Sequence, residues 1–132
     1  MPDNKKLKIA LVTTTLSDGG AERCAALLSE YFDSQNIDVH NIVFSGRIQY
    51  QYAGKLVHLI ADNQNNSSFA RFFRLKKYLA QEKFDFIIDF RTKEKLWQEA
   101  IIHRFLYKNH IQTIHSSKLE TYIPKSYFFK IL

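Results

Sequence analysis

The 132-residue chain is short of the residues that several common architectures need. It has a single cysteine, Cys24, which excludes a disulfide scaffold. Four glycines and two prolines exclude collagen-like repeats and a Gly/Pro-rich disordered composition. Its apolar runs stop far short of the about 20 residues that span a bilayer. Met1-Pro2-Asp3-Asn4-Lys5-Lys6 does not lead into a signal peptide. A cytoplasmic, reducing location is the expectation. Several catalytic signatures are also missing. No Gly-x-Gly-x-x-Gly follows a strand, and no Gly-Lys-Ser/Thr follows a loop, which argues against dinucleotide binding and a nucleoside-triphosphate loop. No Gly-x-Ser-x-Gly elbow is present. His40, His58, His103, His110 and His115 are scattered without His-Glu-x-x-His or Cys-x-x-Cys, so no metal is expected.

What remains has the balance of one soluble α/β-sized domain, 45% hydrophobic and 24% charged. The net charge of +6 favours an anionic partner. A phosphorylated substrate, an acidic membrane surface and nucleic acid all satisfy charge alone. No nucleic-acid motif accompanies it, so nucleic acid is not expected.

Along the chain, Leu7 to Thr13 is a short apolar run suited to a buried first strand. Thr14 to Gly20 breaks it. From Ala21 the period becomes helical, with Ala21, Cys24, Ala25, Leu28 and Phe32 on one face and Glu22, Arg23, Ser29 and Glu30 elsewhere. Cys24 therefore reads as a small buried hydrophobe. Val39 to Phe44 and Lys55 to Ile60 read as strands, separated by a loop or ragged hairpin. Phe69 to Gln81 reads as a helix with Phe69, Phe72, Phe73, Leu79 and Ala80 inward, and Arg71, Arg74, Lys77 and Tyr78 opposite. Phe84 to Phe90 is a strand suited to cover on both faces. A helix over 94–107, a strand over 111–114 and a last helix opening at Pro124 complete the series. Alternating strands and helices predict a parallel, Rossmann-like sheet flanked by helices. Residues 126–132 are apolar and helical in flavour, so the domain is expected to continue past them.

In such sheets ligands sit beyond the carboxyl ends of the strands. Ser17-Asp18-Gly19-Gly20-Ala21-Glu22-Arg23 occupies that place after the first strand. Gly19 and Gly20 either make a tight strand-to-helix turn or let a ligand approach the backbone, with helix-terminal amides suited to a phosphate or a sugar hydroxyl.

Lys8-Ile9-Ala10-Leu11-Val12 followed by Gly19-Gly20-Ala21-Glu22-Arg23 resembles the opening of family 4 glycosyltransferases. Phe84-Asp85-Phe86-Ile87-Ile88 is similar to that family's fourth strand, and Ile111 to Ser117 to its fifth strand and following loop. The resemblance implies the N-terminal, acceptor-side half of a retaining enzyme of the GT-B type, which has two Rossmann-like domains. It implies a UDP- or GDP-linked nucleotide-sugar donor, a saccharide or lipid-linked acceptor, and no tightly bound cofactor or metal. It assigns Gly19 and Gly20 to the donor-proximal loop and His115 to the reacting centre. The C-terminal donor domain is not among these residues, so the chain alone is expected to be inactive.

Other candidates are weaker. Arg91, Ser116 and Lys118 stand where they would hold an acceptor. Ser117 shares that place. Arg71, Arg74 and Lys77 form either a solvated face or a contact with anionic lipid at the inner face of the cell membrane. Glu22 and Glu30 match the spacing of the family's donor-domain glutamates but stand on the first helix, so the match is coincidental. Asp85 and Asp89 share a strand face, which suits acid–base work or local salt bridges. An alternative from another class is a stand-alone Rossmann-like binding module without catalysis.

Overall fold

The computed structural model describes residues 5–60, 66–91 and 110–112. It is an α/β fold with a five-stranded, all-parallel sheet. The elements in order are β1 (Lys8–Thr13), α1 (Gly20–Ser34), β2 (Asp38–Val43), β3 (Lys55–His58), α2 (Ser68–Glu82), β4 (Phe86–Asp89) and β5 (His110–Gln112). Their spatial order is β3-β2-β1-β4-β5. The chain builds outward from β1 through β2 and β3, then returns through α2 to the other side of β1. That reversal puts a crevice at the carboxyl ends of β1 and β4, the usual ligand position of a doubly wound sheet. The predicted alternation of strands and helices is therefore present, and the expected helix over 94–107 and segment beyond Pro124 lie outside the described residues.

β1 is central and covered on both faces, which is why its sequence is continuously apolar rather than alternating. Ile9 and Leu11 face α1 in a cluster with Ala25, Ala26, Val39, Val43 and Phe90. Ala10 and Val12 face α2 with Ile42, Phe72, Leu75, Leu79 and Ile87. Ser67 caps α2, its Oγ accepting from Ala70 N at 3.2 Å. α1 begins behind Gly19 with no side-chain cap.

The phase of both helices differs from the sequence expectation. In α1, Cys24 is exposed and Ser29 is buried. The inner face centres on Ala25, Ala26 and Ser29, whose small side chains let the helix approach the sheet. Ser29 satisfies its hydroxyl by donating to Ala26 O at 2.6 Å and accepting from Ala53 N at 3.0 Å. In α2 the buried stripe is Phe72, Leu75 and Leu79, while Phe69, Phe73 and Ala80 are exposed. Tyr78 turns inward because its hydroxyl meets His40 Nδ1 at 2.6 Å. β4 is also shorter than expected. Asp85 precedes it and accepts from Lys8 N at 2.8 Å at the amino end of the sheet, while Asp89 lies at the carboxyl end. The two carboxylates are separated by the strand and make no pair.

Candidate functional site

The loop between β1 and α1 crosses the carboxyl end of the sheet and is tied down by Leu16, which is fully buried. Leu16 N donates to Arg47 O at 2.9 Å, and Leu16 O accepts from Gln49 N and Tyr50 N at 2.9 and 3.0 Å. The segment after β2 is thereby stitched to the glycine loop. Thr15 and Ser17 bond to each other within the loop at 3.2 to 3.4 Å. The left-handed residue of this turn is Asp18, at φ 62, and not either glycine. Gly19 has an extended φ of −133. A Cβ built on Gly20 meets nothing within 4 Å, and one on Gly19 meets only the Glu22 carboxylate, the mobile end of a side chain. The turn therefore does not require glycine at either position. Open backbone at the start of α1 leaves first-turn amides presented at the edge, with the positive end of the helix dipole behind them.

On the α2 side of the same edge, three arginines reach the strand ends. Arg91 spreads its guanidinium on the Asp89 carboxylate, with Nε to Oδ1 at 3.0 Å and Nη2 to Oδ2 at 2.8 Å. Asp89 is 1% exposed. Arg91 also lies 4.4 Å over the Phe44 ring, just past β2. Arg71 Nη1 donates to Phe44 O at 3.1 Å. Arg74 Nη1 donates to Leu59 O at 2.6 Å and to Asn66 Oδ1 at 2.8 Å. Leu59 N in turn donates to Val43 O, so Arg91, Arg71 and Arg74 follow one another across neighbouring strand ends. Guanidinium groups in this setting suit oxyanions.

Among the residues expected from sequence, Gly19, Gly20 and Arg91 all stand at the carboxyl edge. The fold adds Arg71 and Arg74, which the sequence reading had set on an outer helix face. Their hydrogen bonds turn both inward to strand carbonyls. Lys77 is exposed and lines an open groove of about 280 Å³ together with Arg74, Leu59, His58, Tyr78 and Gln81. Ser116 and Lys118 lie outside the described residues, as does His115. Sequence reasoning missed the Asp89–Arg91 clamp. Its signal was available: residues two apart on an extended chain point to one side, and Asp-Phe-Arg closes the strand. It also missed the Thr13 hydroxyl, buried at the end of β1 with no hydrogen-bond partner among the described residues.

The other polar cluster lies at the amino edge of the sheet. His40 is 3% exposed, packs edge-on against Phe84, and meets Tyr78 and Asp38 at its two ring nitrogens. Burial pushes its pKa below the ordinary histidine value and pushes Tyr78 up to about 12. Both shifts fit one tautomer: neutral imidazole donating from Nε2 to the carboxylate and accepting the tyrosine proton at Nδ1. Lys8 bonds Glu82 at 2.5 Å and holds that carboxyl below its ordinary range. This cluster braces the sheet and lies at the edge opposite the crevice.

Among the described residues, no three His, Cys, Asp or Glu side chains gather where they would hold a metal ion. No helix among them is long and apolar enough to cross a membrane. No protein-family model matches the chain, and no curated protein is significantly similar to it.

Proposed function

We propose that this chain is the acceptor-side domain of a retaining, sugar-nucleotide-dependent glycosyltransferase of the GT-B type. The observation that carries the reading is the conformation of Gly19 and Gly20. Neither is needed by the backbone, yet both stand at the switch point of a doubly wound sheet, where side chains would obstruct a ligand. The Ser17 to Arg23 string that resembles the family's opening is the same stretch of chain.

In this reading a second domain supplies most of the UDP- or GDP-sugar site. The saccharide or lipid-linked acceptor lies against the carboxyl edge described above. The anomeric carbon–oxygen bond to the nucleotide diphosphate breaks, and a bond forms from that carbon to an acceptor hydroxyl oxygen. The hydroxyl proton leaves with the departing phosphate. The first-turn amides of α1 supply fixed positive dipoles to the charge that develops there, and His115 adds position. Arg91, Ser116 and Lys118 are the residues assigned to the acceptor. The enzyme works in the cytoplasm, at the inner membrane face when its acceptor is lipid-linked, with Lys77 turned to the headgroups.

The test is release of UDP or GDP from a panel of sugar nucleotides by the intact protein, with saccharide and polyprenyl-linked acceptors. Gly20→Val keeps the unfolding midpoint and lowers transfer about tenfold or more, because it crowds the reacting groups apart. His115→Ala lowers transfer by a similar factor. Failure of every donor to support acceptor-dependent transfer rejects the reading.

A further inference from the structure

We propose that Arg71 anchors a binding site for a phosphate group of the ligand, on the α2 side of the strand ends. The glycosyltransferase reading enters only in saying which ligand carries the phosphate. Arg91 and Arg47 each have a carboxylate, in Asp89 and Asp18. Arg71 has none among the described residues. It is half-buried, donates one hydrogen bond to the Phe44 carbonyl, and keeps a buried Nε without a partner. A guanidinium has five donors, so a neutral carbonyl leaves most of its capacity and all of its charge uncompensated.

A second feature converges on the same place. Arg71 stands one turn into α2, whose first turn contains no acidic residue. Acids are favoured there because the helix dipole presents its positive end. That end and the Arg71 charge therefore reinforce each other at the carboxyl edge. Arg74 at the Leu59 carbonyl and Arg91 over Phe44 flank the position. A tetrahedral oxyanion with close to two negative charges matches this setting better than a single carboxylate, and the planar fork can grip two of its oxygens. A purely structural role for Arg71 would use the one bond to Phe44 O and leave the charge without purpose. Phosphate of this kind is available from a soluble phosphate ester or from a lipid headgroup.

The experiment is calorimetric titration of the full chain with inorganic pyrophosphate. Wild type is compared with Arg71→Gln, Arg71→Lys and Lys55→Gln, each checked by its unfolding midpoint. Arg71→Gln is expected to weaken binding about tenfold or more, the scale of one lost charge-assisted hydrogen bond. Arg71→Lys keeps the charge without the fork and should lie between, so it carries the test if Arg71→Gln unfolds. Lys55→Gln should leave binding within about twofold, because an exposed lysine at the amino edge of the sheet contributes only screened, diffuse attraction. Absence of pyrophosphate binding by wild type overturns the site. Equal losses in Arg71→Gln and Lys55→Gln also overturn it, since diffuse charge would then explain the affinity. A vesicle arm separates the sources: Arg71-dependent retention on phosphatidic acid but not phosphatidylcholine assigns the phosphate to a lipid, and pyrophosphate binding without retention assigns it to a soluble ester. Pyrophosphate binding is read without glycosyl transfer, so the site and the enzymatic reading fail separately.

Discussion

Arg91 closes on Asp89 across a single intervening residue, and the two parallel contacts of 3.0 and 2.8 Å hold its guanidinium over the Phe44 ring. Arg91 N adds a third bond to the same carboxylate at 2.9 Å. The end of β4 is thus locked to the end of β2 across β1, so the crevice between β1 and β4 has a fixed floor. The arginine that the sequence offers as an acceptor-holding group is thereby oriented by a buried aspartate.

Removing that commitment should cost stability before it costs binding. Arg91→Gln leaves the Asp89 carboxylate buried with only part of its hydrogen bonding, a loss of about 2–3 kcal/mol. Arg91→Lys restores charge but neither the fork nor the planar stack on Phe44, and should recover only part of it. Urea unfolding of the three proteins measures the difference. Equal midpoints for wild type and Arg91→Gln would show that the clamp contributes nothing.

The glycines make a sharper pair. Gly54 has φ +84, and a Cβ there would meet Val39 O at 2.5 Å, against backbone that cannot swing away. Gly54→Ala is expected to destabilise the fold by about 2 kcal/mol or more, from left-handed strain and the clash together. Gly20→Ala should be neutral or stabilising by about 0.5 kcal/mol, since the position is helical and open. Thermal unfolding of the two variants side by side tests this. A large loss in Gly20→Ala would return that glycine to a structural role and remove the main support for a ligand there.

The contrast also marks what was legible in the sequence. The order of strands and helices was readable because β1 and β4 are short apolar runs and the segments between them change to a helical period. Helix phase was not. Cys24 looked inward because it is apolar, yet the buried face centres on Ser29, whose hydroxyl donates to Ala26 O and accepts from Ala53 N of a distant loop. Tyr78 looked outward until His40, from β2, gave its hydroxyl a partner. Arg71 and Arg74 looked like a solvated stripe because nothing local shows that strand carbonyls lie within their reach. Ser29, Tyr78, Arg71 and Arg74 share one cause, a polar side chain whose partner is far along the chain. Backbone position alone carries Gly19 and Gly20 to the strand ends, whereas Arg71 finds its carbonyl 27 residues away and the local Asp89–Arg91 pair shows only in the placed side chains.

Ser29 gives the simplest check of the corrected helix phase. Ser29→Ala removes the acceptor of the Ala53 N–H and the donor to Ala26 O at a fully buried position. The expected cost is about 1–2 kcal/mol, most of it from the amide left without a partner. Cys24→Ser, on the exposed face, should fall within about 0.5 kcal/mol of wild type. Equal effects of the two substitutions would mean the helix is rotated from this arrangement. Modification of Cys24 by a thiol reagent in the folded protein gives an independent reading, and full protection would contradict its exposure.

The His40–Tyr78 contact makes stability depend on pH with a definite sign. Burial disfavours the imidazolium in the folded chain, and Lys8 and Lys55 act in the same direction, while Asp38 and Glu82 oppose them. The folded pKa therefore lies below the ordinary value of 6.5, and the unfolded chain takes up the proton first as pH falls. The stabilising contribution is present above that pH and is lost progressively below it, as the folded pKa is approached. Glu82, held low by its bond to Lys8, adds a loss of the same sign at more acidic pH, below the ordinary carboxyl value of 4.5. Tyr78→Phe strips His40 Nδ1 of its partner and should cost about 1–2 kcal/mol at neutral pH. His40→Leu removes the titrating group while keeping an apolar filler against Phe84. Its stability should be flatter than wild type between neutral pH and about pH 5.5, whatever its absolute value, because only the slope reports the proton. Urea midpoints across that range for the two proteins decide the matter, and parallel curves would show that His40 is not the group that titrates.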